Sequence, residues 1–147
     1  MADIKLSVES GEKEVELVNA KRNLSVTVLV AVYDVFFMGR VMETAEKLDE
    51  LQRELQARTP KEPEKFMEFY RYCREVDGMM RKAIDELFGQ TVCDAILPDV
   101  SMFAIGNGAP AWANILYSVI DHMDDGLVKE KETAQARIRK YSAKYKK

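Results

Sequence analysis

The side chains best suited to chemistry here are two thiols, Cys73 and Cys93, one imidazole, His122, and the carboxylates near it at Asp121, Asp124 and Asp125. A tetrahedral metal site needs four ligands at recurring spacing, and two cysteines far from a single histidine do not supply them. Asp121, His122, Asp124 and Asp125 point in different directions if they lie on a helix, so they cannot converge on one ion. No nucleophile is marked out beside the histidine for acyl-transfer chemistry. Gly106-Asn107-Gly108 lacks the lysine and hydroxyl of a phosphate loop and the strand-to-helix setting of a dinucleotide fingerprint, so it is read as turn chemistry. The paired carboxylates Asp49-Glu50 and Asp85-Glu86 fall opposite apolar stripes, where a helix is wet. The residues therefore predict a protein that is not an enzyme and takes no cofactor or metal. Its cysteines are expected to be reduced, buried thiols of a cytoplasmic protein, with no secretory signal ahead of them.

The elements that carry these residues are mostly helical. Residues 65–97 place Phe66, Phe69, Cys73, Val76, Met80, Ala83 and Leu87 at the three-and-four spacing of one helical face, broken at Gly89 and resumed at Val92 and Ile96. Thr59, Pro60 and Glu62 read as an N-cap, a first-turn proline and an acidic third position, so the helix is predicted to start there and to end near Phe88. Thr91 and Asp94 read as a capping box for a short helix over 91–97, closed by Pro98.

At 147 residues the chain fits one domain that can bury a core without disulfides. Residues 26–38 form the longest apolar run, but thirteen residues containing Asp34 are too few to span a bilayer, so this run is read as buried core. At the front, Ile4, Leu6 and Val8, then Val15 and Leu17, alternate on either side of Ser10-Gly11. They predict a β-hairpin over 1–18 with Leu6 opposite Val15 and Ile4 opposite Leu17. The valines after position 25 suit either a strand or a helix. A first helix over 24–57 is favoured, because Met38, Val41, Ala45, Leu48, Leu51 and Leu55 keep helical spacing further on. A helical core follows over 59–126, with its break near 89 and a turn-rich connector at 98–109. Asp124-Asp125-Gly126 is expected to end one helix before a C-terminal helix over 127–147. The fold class is thus mainly α, an N-terminal β-hairpin followed by a small bundle of four or five helices.

Formal net charge is −3, yet residues 137–147 hold six basic residues and no acid, so an acidic body carries a basic tip. Arg137, Arg139, Lys140 and Lys144, interleaved with Tyr141 and Tyr145, could grip nucleic acid as a second choice, behind an acidic protein partner or a solvated end. The methionines at 38, 42, 67, 79, 80, 102 and 123 are expected to fill core gaps. Phe66, Met67, Phe69 and Tyr70 make a broader apolar face than one packing partner needs, which marks Phe66, Phe69 and Tyr70 as candidate partner contacts.

The order of these segments resembles a group of small phage and prophage proteins of Gram-positive bacteria. Those proteins begin with a short strand pair and continue through a charged helix of the AEKLDEL kind, here residues 43–55. A cysteine-containing helix then ends in D-E-L-F-G, here Asp85-Glu86-Leu87-Phe88-Gly89, and a basic Arg/Lys/Tyr-rich segment, here 137–147, closes the chain. The group in turn resembles the tail assembly chaperones of long-tailed phages, which coat the hydrophobic helices of the tape measure protein until tube protein replaces them. The Val-rich run at 26–37 and the Ala/Trp helix at 109–116 depart from that pattern. The resemblance implies a homo-oligomer in the cytoplasm of the bacterial host. Its partners would be phage tail proteins such as a tape measure protein, with no membrane and no catalysis.

Overall fold

The computed structural model describes residues 2–145, with their side chains except at 124–128, 130, 131, 133, 134, 141, 142, 144 and 145. The architecture is mainly α behind an N-terminal antiparallel β-hairpin, as its alternating and helical periodicities require.

The hairpin lies further along the chain than its sequence pattern suggested. Its strands are β1 (Lys13–Asn19) and β2 (Leu24–Val30), paired so that Val15 faces Val28 and Leu17 faces Val26. Among the described residues, 4–8 pair with no strand. Ile4, Leu6 and Val8 are 75%, 83% and 88% exposed, so the hairpin placed over 1–18 is corrected to 13–30. The first helix likewise does not begin at 24. Leu24–Val30 is a strand because its β-branched residues alternate: Val28 and Val30 are buried while Thr27 and Leu29 stay exposed. Burial of every fourth or seventh residue starts only at Phe37, and α1 spans Val35–Ala57 with Phe37, Val41, Leu48 and Leu55 inside. The apolar run at 26–38 is accordingly not all core, since Val35 and Phe36 are 71% and 76% exposed.

Next comes a single 3-10 turn, Pro63–Lys65, and then α2 (Phe66–Phe88). The helix start read at Thr59-Pro60 is corrected for a steric reason. Pro63 would occupy the first position whose N–H must reach a helical carbonyl, and it holds Glu62 extended at φ −108, ψ 125. The Thr59 hydroxyl instead donates to the Leu55 carbonyl at the end of α1 (3.4 Å). The break at Gly89 is where the sequence put it: Gly89 takes φ +73 and its N–H closes α2 on the Asp85 carbonyl. Inside α2, Gly78 is exposed and an added Cβ there would meet nothing within 4 Å. Gly78→Ala should therefore raise stability by about 1 kcal/mol, read as a higher urea midpoint at unchanged slope.

Beyond α2 lie a one-turn helix, α3 (Cys93–Ile96), and a miniature hairpin of β3 (Ile105–Gly106) and β4 (Ala109–Pro110). Asn107 and Gly108 carry φ +57 and +79, the two positive values of a type I′ turn. The last helix, α4 (Ala111–Tyr145), runs unbroken through 124–126, which corrects the division into two helices. One interior glycine costs about 1 kcal/mol relative to alanine, too little to end a helix when no proline follows. The inner face of the hairpin, α1, α2 and α4 meet around Phe37, Leu48, Met80, Ile84, Leu116 and Met123, all under 2% exposed. Met80, Met102 and Met123 fill this core as methionine's flexible side chain allows, whereas Met42, Met67 and Met79 are about half exposed. No helix of the described residues is long and apolar enough to cross a membrane.

Candidate partner-binding surfaces

The seven residues singled out for partner binding fall into two groups on separate helices. Phe66 and Tyr70, one turn apart at the start of α2, stack with ring centroids 6.4 Å apart and planes 25° from parallel, and Arg74 lies 5.9 Å over the Tyr70 ring. Both rings are exposed, at 55% and 42%, beside Met67 at 54%. Phe69 is partly buried against the core, because a residue three on from Phe66 and one back from Tyr70 lies on the adjoining stripe of the helix, nearer the interior. On that inner side Arg58 covers the Tyr72 ring at 4.4 Å and ties the end of α1 to α2. The open patch is therefore Phe66, Met67 and Tyr70. Arg137, Arg139 and Lys140 are exposed on the last turns of α4, beyond Met123, with Ile138 64% exposed among them. The Lys144 side chain lies outside the described residues.

A polar stripe on α2 was missed in the sequence and ties down residues 92–102, which follow Gly89. Asp77, Arg81 and Asp85 are spaced at i, i+4 and i+8 on one face. Arg81 donates from Nε to Asp77 (2.8 Å), from Nη1 to Asp94 (2.8 Å), and from Nη2 to the carbonyls of Leu97 (2.9 Å) and Val100. Asp77 in turn accepts the Met102 N–H at 2.7 Å. Asp85 accepts the N–H groups of Val92 and Cys93 at 2.9 and 3.0 Å, so α3 is capped from α2 and not by Thr91. Asp94, read as the far corner of a capping box, is the exposed partner of Arg81. Burial alone would lower the Arg81 pKa, but its hydrogen bonds and charge attraction to Asp77 and then Asp94 outweigh that and hold it above its ordinary value.

The thiols lie within packing. Cys93 is fully buried, and burial first, then the charge of Asp85, pushes its thiol up to about 12 from 9.0. The half-buried Cys73 thiol is also raised by burial. Below pH 9 folded and unfolded chains both keep the Cys93 proton. Above it only the unfolded chain loses the proton, so stability should fall as pH rises toward 12, by up to about 1.4 kcal/mol per pH unit. Unfolding free energies of wild type and Cys93→Ala, measured from pH 8 upward, should converge as pH rises; parallel curves would contradict this account.

His122 is exposed, its Nε2 3.1 Å from the Tyr33 hydroxyl, at the mouth of an apolar cleft of about 380 Å³ that reaches Val15, Leu17, Val30 and Phe88. Among the described residues no three His, Cys, Asp or Glu side chains are placed to hold a metal ion. A wider groove of about 1110 Å³ runs beside it, between residues 16–21 of β1 and its turn, the 106–108 turn and α4. Three of the polar side chains lining it are engaged with backbone: Asn19 donates to the Ile96 carbonyl (2.7 Å), Asn114 to the Gly106 carbonyl (2.8 Å) and Ser118 to the Ile115 carbonyl (2.7 Å).

Fold and surface together define a mainly α protein with a β-hairpin at its front and exposed apolar side chains at Phe66, Met67 and Tyr70. No family model, curated protein or solved structure matches the chain.

Proposed function

We propose that this chain is a non-catalytic phage tail morphogenesis protein that acts like a tail assembly chaperone, reversibly covering apolar faces of partner helices such as those of a tape measure protein. The observation that carries this reading is the stacked Phe66–Tyr70 pair, open beside Met67 at the start of α2. Aromatic side chains held rigid by stacking lose little entropy on binding, and an i, i+4 pair presents the ridge that packs between the side chains of another helix. The likeness of segment order to small phage and prophage proteins supports the same reading, as does the basic end of α4, which suits an acidic partner. The chaperone works as a homo-oligomer in the cytoplasm of the bacterial host.

Co-expression with a tape-measure-like protein tests it. The soluble yield of that partner should rise and the two should co-purify, and Phe66→Asp with Tyr70→Asp should lower the co-purified amount at least tenfold without loss of helicity. No rise in solubility and no co-purification would overturn the proposal. Exposure of Arg137, Arg139 and Lys140 favours one second reading, a nucleic-acid-associated accessory protein. That reading expects a gel shift at low salt that is lost on deletion of residues 137–147; no shift removes it.

A further inference from the structure

We propose that residues 3–9 of one copy add as a third, antiparallel strand to the free edge of β1 in a second copy. Ile4, Leu6 and Val8 alternate along an extended arm, and chains seldom leave three large apolar residues in succession this open without a cover. The cover has a matching shape. Within the described residues β1 pairs only with β2, and its other edge borders the long groove, whose wall on α4 includes Ile115 and Ser118. An unpaired strand edge beside an open groove is the template for strand addition, in which the backbone supplies affinity and alternate side chains supply fit. The arm and β1 are each seven residues long.

The sequence also sets the register. With Leu6 opposite Val15 and Ile4 opposite Leu17, the three apolar arm residues lie over the inner face, and Lys5 stands opposite Glu16 on the outer face, an attractive cross-strand pair. The arm does not close this edge within its own chain. The favoured two-residue hairpin turns, I′ and II′, carry positive φ at their first position, yet of Ser10 and Gly11 only Gly11, the second, has it, at +78. Local bonds fix that geometry: the Gly11 N–H donates to Glu9 Oε1 (2.8 Å), the Ser10 hydroxyl to Glu12 Oε1 (2.8 Å) and the Glu12 N–H to Ser10 Oγ (3.4 Å). This assembly mode rests on the arm and the edge alone, independently of any tail protein.

The test is run on the full chain without partners. Light scattering should give at least twice the monomer mass of 16.8 kDa for the wild type, and the monomer mass for Leu6→Asp and for deletion of residues 2–9, with helicity unchanged because these residues are exposed and lie outside every helix. In a Cys73→Ser background, a chain carrying Lys5→Cys mixed with one carrying Glu16→Cys should form a disulfide between the two chains under mild oxidation. Three results overturn the proposal: a wild type that is monomeric alone, whatever else its arm then binds; assembly that survives loss of the arm; or a doubly substituted chain that cross-links only within itself.

Discussion

Replacing Arg81 by alanine is expected to cost about 3 kcal/mol of stability, because it strips neutralisation from a partly buried carboxylate and removes the donors of two backbone carbonyls at once. The Arg81 side chain is 14% exposed and that of Asp77 22%, whereas Asp94 is 71% exposed. The three partners are therefore unequal. Asp94→Ala should change stability by about 0.5 kcal/mol or less, as exposed ion pairs do. Arg81→Lys should rescue little, since an ammonium cannot present the forked donors that reach Asp77, Leu97 and Val100 together. Urea unfolding separates the three variants, and hydrogen exchange adds a local signature. The Met102 amide, held by Asp77, should exchange faster in Arg81→Ala than amides in the middle of α1. Equal losses for Arg81→Ala and Asp94→Ala would show that the stripe does not anchor the connector.

That stripe marks the limit of what the sequence discloses. Asp85 looks like a solvated helix charge when only its own element is considered, because a carboxylate opposite an apolar face is wet unless something folds over it. What folds over it here is the next segment of chain. Three polar residues at i, i+4 and i+8 bordering the apolar face were the available signal for such a tie. Gly89 and the Asn107-Gly108 turn were legible because their chemistry is local: a left-handed backbone selects glycine or asparagine whatever surrounds it. The hairpin was legible as an element but not in place. Residues 4–8, 13–19 and 24–30 all alternate, and three strand-like segments permit two pairings that differ only in tertiary contacts. Of the candidate contacts, Phe69 keeps the inward place its helical spacing gave it, while Phe66, read on the same stripe, is left open beside Tyr70 because it is the first residue of α2 and, among the described residues, nothing packs over it.

The two adjacent phenylalanines at the start of α1 give the sharpest check on that corrected boundary. Phe37 is fully buried, its ring 6.3 Å from that of Phe88, while Phe36 is 76% exposed. Phe37→Ala removes a core ring from between α1 and the end of α2, and such truncations cost the transfer energy of the side chain plus the cavity left behind, about 4 kcal/mol. Phe36→Ala removes surface that is already wet and should change stability by about 0.5 kcal/mol or less, with a small gain in helix propensity. The contrast depends on Asp34 holding the chain extended at φ −93, ψ 135 before the helix, which turns position 37 inward and leaves position 36 outside. For a chain of this length the loss at Phe37 corresponds to a melting point lower by roughly 10 °C. Thermal unfolding of both variants by circular dichroism decides it. Comparable losses at 36 and 37 would mean that the Phe36 ring is covered in solution, and the exposed start of α1 would then join the arm as an interface of the assembled protein.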